Sequence, residues 1–426
     1  MKTTFRFLSL AVLVAGLGAS AAFGQDACAD VDGQTAVYIK ITANYNSKSV
    51  DALEIALASG KEFLEKYGAC EALKDQLDFV KPQVARLEKA IPDLRDRAAL
   101  GELFKRYDSG VQGKKYDDAY AAGKGILAKQ PDNLNILVPL GVIGLYQSYD
   151  KNYKYNDDSL RYAQQALTLL KSGKELPKKN KAGVPTAGVF EFEYTKEDAI
   201  SELTFAQGYI NYYVKNDKKA GIPFYYEVSQ LPGRYKTDAR VYDAIGSYYF
   251  DAAAAVGKEI GDLITKQKAA PTDDEKVALD AQIKDKIALF NGYNERILDA
   301  YSRAYTLAKS DTPVGKTYKD ALYKTLQDTY KRRFEKLDGL DAYVSAAVAK
   351  PLPNPTSQVT PVSDAEPTKT TGSATPPVSA APVTAAPAAK PAAPAKPMSS
   401  VSSTTAAATT AVKAPAKKTV AAKKNR

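Results

Sequence analysis

Between Gln25 and Lys350, apolar residues recur at spacings of three and four, and clusters of Gly, Pro and Asn/Asp interrupt the pattern roughly every 12–20 residues. Residues three or four apart return to one face of an α-helix, so this stretch reads as amphipathic helices joined by short connections. Strand-like alternation is clear once, in Gly188–Tyr194, inside a long connection over 172–195 that also holds Lys178, Lys179 and Lys181. The fold class is therefore all-α. A body of about 326 residues (25–350) exceeds the size at which one core keeps growing. Such a chain must repeat a small unit or divide into separate cores.

Repetition is visible. Counting from Ser201, Gly208, Ala220, Phe224 and Pro232 occupy the eighth, twentieth, twenty-fourth and thirty-second places of a frame of about 34 residues. Tyr242, Ile245, Gly246 and Tyr249 repeat its first-helix half. Leu137, Leu140 and Gly141, followed by Ala163, Ala166 and Leu167, supply another unit. A degenerate one runs from Leu100 through Tyr116, Ala119, Ile126 and Leu127 to Pro131-Asp132-Asn133. The pattern resembles the tetratricopeptide repeat (TPR), whose small residues let two antiparallel helices approach closely while large ones fill the gaps between pairs. The resemblance implies a TPR-like α-solenoid of antiparallel helix pairs over 25–350, strongest across 100–250, with further pairs at 35–67, 72–97, 276–308 and 315–349. Pro139, in the second turn of its helix, is expected to kink that helix or delay its start. Segments 172–195 and 258–275 read as insertions. A non-repeating helical bundle is the alternative.

The two ends differ from the body. Residues 1–24 combine Lys2 and Arg6, an apolar run from Phe7 to Gly18 and a small-x-small site at Ala22-Phe23-Gly24, which predicts a cleavable signal peptide. That run is too short to span a bilayer and no later stretch is apolar enough, so a secreted or periplasmic protein that does not span the membrane is expected. Export to an oxidising compartment predicts a disulfide between Cys28 and Cys70, against the alternative of two free buried thiols. Lipidation of Cys28 is disfavoured, because Gln25-Asp26-Ala27 is not a small apolar run.

From Pro351 on there is no aromatic residue, and 13 of the chain's 23 prolines fall there among Ala, Thr, Ser, Val and Lys. This composition predicts a disordered tail over 351–426. The chain carries a formal +10, and the tail's nine basic residues against Asp364 and Glu366 account for +7 of it. The body is nearly neutral. The basic end, Lys413, Lys417, Lys418, Lys423, Lys424 and Arg426, resembles linker-histone tails in composition. Export argues against nucleic acid and for an anionic envelope polymer as its electrostatic partner; a solvated spacer is the plainer reading.

The chain contains no histidine, which removes Ser-His-Asp and Cys-His machinery, HExxH zinc sites and His-ligated haem. Two cysteines cannot build a zinc knuckle or an iron–sulfur cage, and no metal or cofactor is expected. Asp117-Asp118, Asp157-Asp158 and Asp273-Asp274 each open a helix, where acidic side chains complement the dipole. Lys316, in Pro313–Thr317, lacks the glycine and strand of a phosphate loop. The chain is thus not expected to be an enzyme, with a carboxylate hydrolase as the least favoured class.

Tyrosine is the conspicuous residue: all 28 lie in the body. In the repeat family, first-helix places two, five, nine, twelve and thirteen line the concave surface. The resemblance therefore assigns partner contact to Glu202, Phe205, Tyr209, Tyr212 and Tyr213, and in the next unit to Arg240, Asp243, Ser247, Phe250 and Asp251. The Lys/Asn pattern that grips a C-terminal carboxylate is absent. The function implied is an exported, non-catalytic scaffold in the bacterial cell envelope that binds a protein or peptide on this surface. The alternative is a carbohydrate or peptidoglycan binder that uses a Tyr-rich groove with the basic tail as tether.

Overall fold

The computed structural model describes residues 27–363. The expected signal peptide and the basic end, Lys413 to Arg426, lie outside the described residues. Within them the chain is all-α: twelve α-helices accompany a single two-residue β-pair. The chain divides into two compact units, up to Asn133 and from Leu134 on. The single body expected over 25–350 is thus two.

The first unit contains α1 (Val31–Asn44), α2 (Val50–Tyr67), α3 (Lys74–Gln112) and α4 (Tyr116–Lys129). Val37, Ile41, Phe63, Tyr67 and Val80 form one core, and Leu53, Ala56, Leu87 and Ile91 a second beside it. Asp30 caps α1 by accepting from the Gly33 N–H at 3.0 Å, and its other oxygen accepts from the Tyr67 hydroxyl at 3.2 Å. Next to this cap, Cys28 is bonded to Cys70, as the export argument predicted. The helix pair expected over 72–97 is instead the first part of α3, which runs unbroken to Gln112 through Pro82 and Pro92. Each proline removes one backbone hydrogen bond. The helix continues because both of its ends are buried: Leu77, Val80, Leu87 and Ile91 near the start, and Tyr107, Gly110 and Val111 at the finish.

The second unit contains α5 (Leu134–Tyr149), α6 (Asn156–Lys171), α7 (Lys196–Tyr209), α8 (Lys218–Gln230), α9 (Ala239–Ala269), α10 (Asp273–Leu307), α11 (Pro313–Phe334) and α12 (Leu340–Val348). Each helix from α5 to α10 packs on the next, α5 also meets α7, and α12 packs on α10. Small residues set the close approaches: a Cβ on Gly141 would lie 3.0 Å from the Ala163 backbone, and one on Gly221 2.8 Å from the Tyr212 nitrogen. Gly221 thus makes the contact that the repeat frame assigned to Ala220, which is exposed. Pro139 lies inside α5 without delaying its start. The acidic pairs do open α4, α6 and α10.

Three expectations for this unit change. The pair expected over 276–308 is one helix, α10, and the insertion expected at 258–275 is the distal part of a long α9–α10 hairpin. Val256, Ile260 and Ile283 give that hairpin a core of its own, which carries both helices past the point where a shorter pair would end. The alternating stretch Gly188–Tyr194 is not a strand: Phe190–Phe192 form a 3-10 turn, and only an isolated bridge joins Ala187 to Tyr194. The β-pair is Lys178–Lys179 against Pro185–Thr186. Finally, order does not stop at Lys350. Residues 351–363 run back along α10 as a strap with Leu352 and Val359 buried, and the Val362 N–H donates to the Ala288 carbonyl at 2.8 Å. Lacking aromatics, this segment buries aliphatic side chains against a surface that α10 supplies.

Candidate functional site

The residues assigned to a groove lie on α7, on the π-helical turn Ile210–Val214 that follows it, and on the first turns of α9. Burial separates them. Glu202, Phe205 and Tyr212 are 3%, 2% and 1% exposed, so they are core residues and not surface contacts. Phe205 stacks on Tyr235 with ring centroids 3.9 Å apart. Tyr212 donates its hydroxyl to the Ala244 carbonyl at 2.9 Å. Tyr213 instead turns outward and is 37% exposed. The Tyr212 and Tyr213 rings still touch, with centroids 4.8 Å apart, so the buried ring backs the half-exposed one. Tyr209, Arg240, Asp243, Ser247 and Phe250 are half-buried.

Glu202 is the hub beneath the surface. Its carboxylate accepts from the Tyr146 hydroxyl at 2.7 Å, the Tyr235 hydroxyl at 3.0 Å and Arg234 Nη2 at 2.6 Å. These donors come from α5 and from the connection between α8 and α9, so one acidic side chain ties three parts of the unit together. Burial, then the Glu202 charge, pushes the Tyr146 phenol up to about 12; burial raises Tyr149, Tyr194 and Tyr235 further. All four stay protonated at neutral pH, and Tyr146 and Tyr235 serve as hydrogen-bond donors to Glu202.

Above this hub runs a band of rings. Tyr149 meets Tyr209 edge-on at 5.2 Å, and Tyr209 meets Tyr213 at 5.3 Å. Arg240 flanks them, its guanidinium forked onto Asp238 with Nη2 2.6 Å from Oδ2, while Asp238 also caps α9. On the other flank, Asp243 accepts from the Tyr318 hydroxyl at 3.0 Å. Phe250 lies under the Arg332 guanidinium, 5.7 Å from the ring centre. The sequence reading missed Tyr146, Tyr149, Arg234, Tyr235, Tyr301 and Tyr318. Tyr146 had a signal: with Gly141 at place eight, it falls at place thirteen. Arg234 and Tyr235 sit in an inter-helix connection, where the repeat frame carries no information.

Asp243 gives this face a pH dependence. Burial raises its carboxyl to about 6, against the Tyr318 and Tyr301 hydroxyls, which favour the charged form. A raised carboxyl pKa means that the folded state holds the proton more tightly than the unfolded chain. The stability it contributes is complete below the unfolded value near 4 and is lost as pH rises through 6. The difference amounts to on the order of 2–3 kcal/mol. The melting temperature of Asp243→Asn should therefore gain on the parent between pH 4.5 and 7.5. An offset independent of pH would show that Asp243 titrates normally.

Among the described residues no group of His, Cys, Asp and Glu could hold a metal ion, and no helix is long and apolar enough to cross a membrane. No family model, curated protein or solved structure matches the chain.

Proposed function

We propose that residues 134–363 are a tetratricopeptide-like stack of helix pairs, and that the protein is an exported, non-catalytic scaffold that binds an extended protein or peptide partner across the tyrosine band. The close small-residue contacts within helix pairs and the packing of α5 on α7 support the stacked-pair reading. The Cys28–Cys70 disulfide and the lack of a spanning helix among the described residues are compatible with export. The basic end then serves as an electrostatic tether to an anionic envelope polymer.

The observation that carries the binding reading is the Tyr149–Tyr209–Tyr213 band with Arg240 and Asp243 at its sides. These rings are held from below by the Glu202 hub. Rigid tyrosines offer large contact area at little further entropic cost, while phenol and guanidinium donors suit peptide carbonyls. A photo-reactive side chain in place of Tyr213, activated in cells, should capture a defined protein partner. That capture should fall at least tenfold when Tyr149→Ala and Tyr209→Ala are added, while a probe in place of Lys324, exposed on α11, captures nothing. Capture unchanged by the two alanines would reject the tyrosine band as the binding face. Glycan binding lost on the same substitutions would replace the peptide by a sugar ligand.

A further inference from the structure

The strap runs along α10 and ends in a cradle shaped for main chain. Leu352 and Val359 are buried at its two ends, and Asn354 folds a tight turn between them by accepting from the Thr356 N–H at 2.9 Å and the Thr356 hydroxyl at 2.8 Å. Arg303 fixes the start, donating to the Ala347 and Lys350 carbonyls at 2.8 and 2.6 Å. At the far end both polar groups of one residue are read: the Val362 N–H by the Ala288 carbonyl, and the Val362 carbonyl by Asn291 Nδ2 at 3.3 Å. Gly292 is required there, since a Cβ would lie 2.3 Å from the Thr360 oxygen. Ala288, Asn291 and Gly292 thus form a site whose occupant is visible: an extended, proline-containing segment held by its backbone, with a valine beside it. Such segments lose little conformational freedom on docking.

The docked arm reads Val359-Thr-Pro-Val-Ser363, and sixteen residues further on the chain reads Thr375-Pro-Pro-Val-Ser379. Pro, Val and Ser coincide. Thr375 stands for Val359 with the same branched shape. Pro376 stands for Thr360, whose close contact with α10 is made through its carbonyl, a group proline keeps. Val378 has the N–H and carbonyl that Ala288 and Asn291 require. We propose that the α10 cradle is a recognition site for an extended, proline-containing segment held by its backbone, and that Thr375–Ser379 of the same chain competes with Val359–Ser363 for it. Measured from Lys350, where Arg303 clamps the chain, docking at Val378 closes a loop a little over twice as long, a disadvantage of about fourfold in population. The exchange draws sixteen residues from the C-terminal side of the docked arm and so shortens the length of chain between the cradle and the basic end.

Cysteine trapping in the full-length chain, with Cys28–Cys70 intact, tests this. Ile287→Cys, next to Ala288 and 42% exposed in the parent, is combined in turn with Ser363→Cys, Ser379→Cys or Ser399→Cys, and cross-links are mapped by mass spectrometry after mild oxidation. The Ser363 pair should dominate. The Ser379 pair should form at roughly a quarter of its level and the Ser399 pair only at background. Adding Val362→Asp should raise the Ser379 cross-link at least threefold and leave the Ser399 pair unchanged. A Ser379 pair no faster than the Ser399 pair in the Val362→Asp background overturns the proposal. So does cross-linking found only between different chains, which would make the occupant a second copy. A Ser363 pair that itself fails to form would remove the docked arm and the proposal with it.

Discussion

Replacing Glu202 by alanine should destabilise residues 134–363 by about 3 kcal/mol, at the lower end of the range for breaking a buried ion pair. The loss arises from what remains behind: the Tyr146 and Tyr235 hydroxyls and one side of Arg234 lose their acceptor, and Tyr235 does so in the buried core. Arg234 itself is half exposed and can rehydrate, which limits the damage. Glu202→Gln keeps the shape and one acceptor oxygen, so it should cost about half as much. Urea unfolding followed by tyrosine fluorescence, the available signal in a chain without tryptophan, measures both. A loss below about 1 kcal/mol for the alanine variant would mean that the hub contributes little to holding α5, α7 and the α8–α9 connection together.

The second large effect concerns the first unit. The Cys28–Cys70 bond closes a loop with a sequence separation of 42, for which the chain-entropy model gives a stabilisation of about 4 kcal/mol. Cys28→Ser with Cys70→Ser should therefore lower the stability of residues 27–133 by up to that amount and leave residues 134–363 unchanged. Part of the N-terminal docking survives without the bond, because Gln34 Nε2 still donates to the Ala27 and Cys28 carbonyls at 3.0 and 3.1 Å. Hydrogen exchange resolved by region gives the comparison directly: equal loss of protection in both units, or none in the first, would contradict the prediction.

These two cases differ in how visible they were beforehand. The cysteine pair was legible because two cysteines leave one intramolecular pairing. The helices were legible for a similar reason, since periodicity and punctuation are local properties of the sequence. The Glu202 hub was not legible. Glu202 reads as a polar residue at a surface place of the repeat, and its partners stand 56 and 33 residues away. Tyr212 and Phe205 were misplaced in the same way: a frame borrowed from resemblance assigns faces, whereas burial depends on which distant ring arrives. Phe205 is covered by Tyr235, and Tyr212 is held by Ala244.

By itself, then, the sequence determined an all-α chain, its helix starts at the acidic pairs and its disulfide. Each of these follows from neighbouring residues or from counting. The tertiary structure alone decided that 74–112 and 273–307 stay single helices, that 351–363 is ordered, and that only part of the expected groove is surface. The physical reason is common to all three. A proline within a helix, a strap without aromatics and a buried glutamate are each unfavourable locally, and each is stabilised by partners that adjacent residues cannot supply.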